Sequence, residues 1–410
     1  MAGALAALAV GAGVAVAVSA DDGRGTSAAA TPTSTPAPTS AAPTPSPTTP
    51  PDVAFTILAG GDVLPHTPVM TSARVGKGYD FGPLLAGLDA WVDGADLALC
   101  HMEVPVAPED RALSGYPMFG TTPALVRDLA KQGWDGCSTA SNHSVDKGFA
   151  GVARTLDVFD DEGLGHVGTA RTADESAEPQ VYRVTVDGQE TVVAHLSATY
   201  GTNGMPVDAD KPWSVTLIDE PALVEQARTA RAQGADVVLV SVHDGTEYRS
   251  APTEHQLEVA DALAASGEVD LMIGHHAHVP QPMARLDGGP QGRGMWVAYG
   301  LGNMISNQDA GCCVAESSDG LLLVATVERE AGGPAHVTGM EWVGTTVDRR
   351  GGHRVLALAE LDGATGKLSA KDVTSRAAHV REAVGSEIPE LTRPPKNPGS
   401  VDVEVVRRSR

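Results

Sequence analysis

Residues 269–282 read VDLMIGHHAHVPQP and place three histidines, His275, His276 and His278, within four positions of a chain that has only 13 in 410 residues. The largely apolar run 269–273 has the length of a buried strand, and the glycine and prolines beyond it end that strand. A strand that ends in clustered imidazoles suits chemistry at the carboxyl edge of an α/β sheet, where the loops of neighbouring strands converge on one crevice. The stretch decides the fold if other strands deliver compatible side chains to the same edge.

They do. Short apolar or β-branched runs at 54–59, 96–100, 191–196, 236–242, 269–273 and 295–299 alternate with amphipathic stretches at 83–92, 123–131, 151–161, 221–233 and 254–265. The pattern predicts an α/β layout with helices covering a sheet. From Leu321 onward it turns to strand, turn, strand (LLLVATVERE, HVTGMEWVGTTV, HRVLALAEL), which predicts C-terminal strands that complete a sheet. The predicted strands end in GGDVLPH with Asp62, HMEVP with Glu103, HDGTEY with His243, and GHHAH; the segment GCSTASNHSVDKG carries Asn142, His143 and Asp146. Two hard cations held close together need a bridging carboxylate, further oxygen and imidazole donors, and an open position, and this set supplies the donors. The absence of cysteine from these positions excludes a Cys-rich structural zinc site. Read one at a time, each has a plainer role: Asn142 and Asp146 shape a loop and cap a helix starting near Gly148, Glu247 and Tyr248 belong to the scaffold, and Asn303 shapes a loop.

Composition sets the surroundings. The 29 basic and 52 acidic residues give a net charge of -23, which excludes non-specific binding of nucleic acid and leaves an anionic substrate dependent on a local positive centre such as a bound metal. Residues 1–24 carry a small-apolar run read as a signal segment or membrane anchor, and residues 25–52, nearly all Ala, Thr, Ser and Pro, as a disordered stalk. Together they predict an extracytoplasmic protein, secreted or anchored to the cytoplasmic membrane. The folded body is expected over 53–310, completed by strands and a helix over 311–392, with 393–410 a loose tail. Four cysteines are too few for a disulfide scaffold, although Cys100 and Cys137, both near ends of predicted strands, are placed to pair.

In order and spelling, these motifs match a known pattern. GD, E, NH, H and GHxH resemble the calcineurin-like metallophosphatase superfamily. GGDVLP, ASNHSVDKG, VHDGTEY, IGHHAHVPQP and YGLGNMI resemble the CapA family of capsule or poly-γ-glutamate synthesis proteins, over residues 55–307. The resemblance implies a layered αββα sandwich holding two divalent metal ions, which could be manganese, iron or zinc. It makes Asp62 a ligand of the first metal, Glu103 the bridge, and Asn142 and His243 ligands of the second. His276 and His278 divide between the two metals and His143 is the acid/base group. His275, Asp146, Glu247 and Asn303 are left to support the ligands or meet substrate. Three departures stand out. His101-Met102-Glu103 replaces the family's Asn-Leu-Glu, His243-Asp244-Gly245 replaces His-Trp-Gly, and Gly120 stands after Phe119 where an arginine is expected.

Three functions fit. One is a metal-dependent hydrolase or transferase acting on a phosphoester or a γ-glutamyl amide; another is a binder that holds an anionic capsule polymer through its metals without cleaving it; the third is a scaffold for capsule-synthesis membrane proteins.

Overall fold

The computed structural model describes residues 53–330, 333–396 and 401–410. The expected leader and stalk lie outside them. Among the described residues no helix is long and apolar enough to cross a membrane.

Two sheets stack face to face. The first has eight strands. Val53–Val63 lies at its centre, with Leu97–Met102, Gly136–Ser138 and Gly165–Val167 added in parallel on one side. Asp319–Arg329, Ala335–Asp348 and Arg354–Ala357 are added antiparallel on the other side, so the C-terminal strands complete this sheet as expected. Asn303–Ile305 pairs alongside the end of the central strand. The second sheet has seven strands, and Gln189–Thr199, Val237–His243, Leu271–His275 and Met295–Ala298 form its parallel core.

The alternation of side chains builds the layers. Phe55, Ile57 and Leu99 of the first sheet meet Leu239, Leu271 and Ile273 of the second in the seam between them. Leu58, Ala98 and Cys100 face the opposite way, onto Leu85, Trp91, Leu125 and Phe159. Val238, Val240 and Val242 pack outward against Leu223, Ala227, Val259 and Leu263 of the helices Glu220–Ala232 and Glu254–Ser266. The result is an αββα sandwich whose central strands are buried on both faces and therefore read as continuous apolar runs.

Two expectations are corrected. The stretch 83–92 is not one helix but two short ones, Gly82–Leu85 and Asp89–Asp93. They are parted where Gly87 bridges to Leu356; a Cβ at Gly87 would lie 2.3 Å from the Val355 carbonyl oxygen, so the chain is pressed onto the sheet edge there. Nor is 393–410 a loose tail throughout. Val401–Val406 pairs antiparallel with Gln180–Val186, and the buried Arg408 donates to the carbonyls of His166 and Glu175. Its apolar positions alternate, and it finds a partner more than two hundred residues earlier in the chain.

Cys100 and Cys137, paired in register on adjacent strands, form a disulfide, while Cys312 and Cys313 are free. Alkylation of the denatured protein without reductant should label Cys312 and Cys313 only, read by peptide mass spectrometry. Label on Cys100 or Cys137 would rule out the bond.

Candidate metal centre

Strand register brings the polar residues together. In the first sheet Asn303, Asp62, His101 and Ser138 stand side by side on adjacent parallel strands. In the second, Thr199, His243 and His275 do the same. Parallel strands in register point corresponding side chains to the same face, so both rows meet at the carboxyl end of the seam between the sheets. Asp62, Glu103, His101 and His243 are each 0% exposed.

The contacts interlock. Asp62 Oδ2 lies 3.0 Å from His278 Nδ1, and Asp62 Oδ1 lies 3.3 Å from His275 Nδ1. His278 Nε2 lies 3.6 Å from Glu103 Oε1. His243 Nε2 is 3.0 Å from Asn142 Oδ1, and the His276 ring centroid is 4.8 Å from that of His243. All six expected ligands therefore fall in one linked cluster. His276 and His278 adopt left-handed backbone with φ of 87° and 56°, a conformation held only where the surroundings fix it and often found at functional sites.

The supporting candidates fall beside them. Asn303 is buried; its Oδ1 is 3.2 Å from His278 Nδ1 and its amide donates to the carbonyls of His278 and Ser317. Glu247 is exposed and sits with His276 and His278 at the rim. His143 Nδ1 is 2.7 Å from Asp146 Oδ2, which also accepts from the Phe119 backbone N–H at 2.6 Å. The Ser141 hydroxyl donates to the Glu103 carbonyl and accepts from the His143 N–H, tying the two loops together.

His101 and Tyr200 were missed as members of the site by reading the sequence. His101 stacks on His275 with centroids 4.0 Å apart and bonds His243. The Tyr200 ring lies 4.7 Å from that of His276. The signal for Tyr200 was its place directly after an apolar strand; for His101 it was the replacement of an asparagine at the family's motif. The space beside Gly120 is occupied by a flexible lysine side chain. A Cβ there would lie 2.1 Å from Lys147 Cε. Lys147 lies across that position and donates to Ser114 Oγ at 2.7 Å, so a cation stands beside Gly120 although the chain has no arginine there.

Electrostatics mark the centre as short of positive charge. Burial pushes the Glu103 carboxyl well above its ordinary value, and neighbouring His278 offsets this only in part. Burial acts the same way on Asp62, but the imidazoles of His275 and His278 outweigh it and hold that carboxyl low. For His278 burial works downward, yet the Glu103 and Asp62 carboxylates hold it up at about 9. Burial draws His276 down to about 3 and holds His101 and His243 well below their usual value, leaving all three neutral. Both Glu103 oxygens, Asp62 Oδ1 and His276 Nδ1 are buried without a hydrogen-bond partner. Unpartnered oxygens and neutral imidazoles facing one another are what a divalent cation needs. Three such sets occur among the described residues, each with ligand atoms within 4.8 Å: Asp62, His101 and His243; Asp62, Glu103 and His278; Glu247, His276 and His278.

The chain is similar to known proteins. The chain is 28% identical over 188 residues to the PGA biosynthesis protein CapA of Bacillus subtilis, covering 46% of this chain and 47% of that protein. It is 27% identical over 243 residues to the capsule biosynthesis protein CapA of Bacillus anthracis, covering 57% and 55%. It thus spans about half the length of these two relatives. Among solved structures it is similar to a 5'-nucleotidase precursor from Thermus thermophilus, with TM-score 0.42, 12% identity, and coverage of 80% of this chain and 59% of that one. Residues 56–308, more than half of the chain and nearly every strand that feeds the centre, match the model of the bacterial capsule synthesis protein PGA_cap, and the chain belongs to that family.

Proposed function

We propose that this is an extracytoplasmic capsule-synthesis protein whose centre holds two divalent cations and acts in hydrolysis or transfer at a phosphoester or a γ-glutamyl amide bond. The observation that carries the reading is the cluster of buried donors around Asp62, Glu103, His243 and His278, with both Glu103 oxygens unpartnered. Asp62, Glu103 and His278 would hold one cation, with Glu103 bridging to a second held by Asn142, His243 and His276. Bound there, the metals supply Lewis acidity and a positive centre for an anionic oxygen.

The chain's own residues supply the rest. The Asp146 carboxylate only accepts hydrogen bonds, so it keeps the His143 proton on Nδ1 and leaves a lone pair on Nε2 that can take a proton from a nucleophile and return it to a leaving group. The ring is steadied by the edge-on contact with Phe119, centroids 4.7 Å apart. Lys147 adds a cation on the same loop as His143, which favours an anionic substrate in a chain of net charge -23. The small-apolar leader and the Pro/Thr/Ser/Ala stretch after it support export, and the family supports partners in the capsule-synthesis machinery.

The test is the metal content of the purified protein, followed by assays on a chromogenic phosphoester and on poly-γ-glutamate. Cleavage of either, lost with chelator and restored by metal, is the expected result. Bound metal without cleavage of either would favour a protein that holds an anionic polymer. Absence of metal binding would end the reading.

Metal uptake should also release protons. His278, held at about 9, is protonated at neutral pH and must lose that proton to become a ligand. Affinity should therefore rise with pH up to about 9 and level off above it, by about tenfold per unit for one displaced proton. Calorimetry in buffers of different ionisation enthalpy measures the release. A pH-independent affinity between 6 and 8, about two orders of magnitude flatter than expected, would contradict it.

A further inference from the structure

A continuous hydrogen-bonded chain runs behind the centre. Ser138 Oγ is 2.7 Å from His101 Nδ1, His101 Nε2 is 2.9 Å from His243 Nδ1, and His243 Nε2 is 3.0 Å from Asn142 Oδ1. All four residues are buried. The Asn142 amide is oriented by its Nδ2, which donates to Asn203 Oδ1 at 3.3 Å, so the atom facing His243 accepts only.

Resting on the metal-centre reading above, we infer that His101, both of whose nitrogens are already engaged by Ser138 and His243, is a positioning residue and not a ligand of the Asp62, His101 and His243 set: it dictates which nitrogen of His243 carries the proton and so frees His243 Nε2 to bind a cation. Each neutral imidazole has one N–H and one lone pair. With Asn142 Oδ1 as acceptor, the direction of the chain is fixed. His243 donates from Nε2, His101 donates from Nε2 to His243 Nδ1, and the Ser138 hydroxyl donates to His101 Nδ1. A cation lying between His243 Nε2 and Asn142 Oδ1 needs the lone pairs of both. The His243 proton must then reside on Nδ1, and a buried N–H there needs an acceptor. His101 Nε2 is the group in reach, and it accepts only when its own proton has moved to Nδ1. Ser138 allows this, because a hydroxyl both donates and accepts.

The whole chain thus reverses polarity. Each imidazole gives up a proton at one nitrogen and takes one at the other, with solvent as source and sink. The number of protons and the charge are unchanged, so this reversal adds nothing to the release from His278. Stacking of His101 on His275 at 4.0 Å, with ring planes 14° apart, fixes the ring orientation on which both hydrogen bonds depend. The residue that sequence comparison marks only as a departure, histidine for asparagine, becomes the group that orients a ligand, a role for which loss typically lowers metal affinity 10- to 100-fold.

The test compares the parent with His101→Leu and His101→Gln on the full chain, titrated with zinc alone by calorimetry. Leucine keeps bulk but offers no acceptor, whereas the glutamine amide oxygen can accept from His243 Nδ1. The expected result is a loss of about 10- to 100-fold in zinc affinity for His101→Leu and a substantially smaller loss for His101→Gln. Nitrogen-15 spectra of the zinc-loaded parent should show His243 protonated at Nδ1 and His101 protonated at Nδ1. Zinc affinity unchanged in His101→Leu, or His243 bound through Nδ1, overturns the inference while the metal reading stands. A parent that binds no divalent metal overturns both. If His101→Leu fails to fold, the tautomers in the parent and the affinity of His101→Gln still decide.

Discussion

Glu103→Ala should abolish the rise in unfolding temperature that divalent metal gives the parent, while leaving the chelator-treated protein no less stable than the parent treated in the same way. The asymmetry follows from where the carboxylate sits. It is fully buried, neither oxygen accepts a hydrogen bond, and burial pushes its carboxyl well above the ordinary range, so without metal it is a cost to the fold rather than a support. In the proposed centre it would be the donor that offsets the repulsion between two cations. A ligand bound only by the folded state stabilises by about 2.7 kcal/mol per site at a concentration 100 times its Kd, and that increment is what the substitution should remove. Differential scanning calorimetry with chelator, and then with manganese or zinc, gives both halves of the result. An equal metal-dependent rise in Glu103→Ala and parent would show that Glu103 bridges nothing.

His143→Ala should have the opposite profile: metal content and unfolding temperature preserved, turnover lowered by about 10² to 10⁴. His143 is absent from the three candidate ligand sets, and its Nδ1 is already taken by Asp146. Asp146→Asn offers a graded control. An amide can donate to Nδ1 as well as accept from it, so the ring is no longer held in one tautomer and activity should fall without loss of metal. Undiminished turnover of the cleaved substrate in His143→Ala would remove the acid/base role and leave the cations as the whole of the chemistry.

The strand-end residues were legible because two independent patterns coincide on them. Runs such as 236–242 and 269–273 are apolar without alternation, the mark of strands buried on both faces, and the polar residues follow at their carboxyl ends. Asp62, Glu103, Asn142, His243, His276 and His278 could thus be placed in one cluster before any coordinates. What the sequence did not reveal depends on contacts between distant segments. His101 lies inside an apolar strand, and only the pairing His101 with Ser138, together with the packing of the second sheet against the first, shows that it reaches His243. The break at Gly87 is imposed by a strand more than 250 residues further along. Lys147 covers Gly120 through a fold of the loop that no local signal specifies.

The strand Val401–Val406 covers what would otherwise be the outer edge of the second sheet. Without it, Gln180–Val186 would end the second sheet as a regular seven-residue ladder of alternating apolar residues with its hydrogen-bonding groups free, a template onto which a strand from another chain can add. With it, the outer strand of the sheet carries exposed Asp402 and Glu404, and like charges brought side by side oppose edge-to-edge pairing. A short acidic strand anchored by Arg408 therefore covers an edge onto which a strand from another chain could otherwise add.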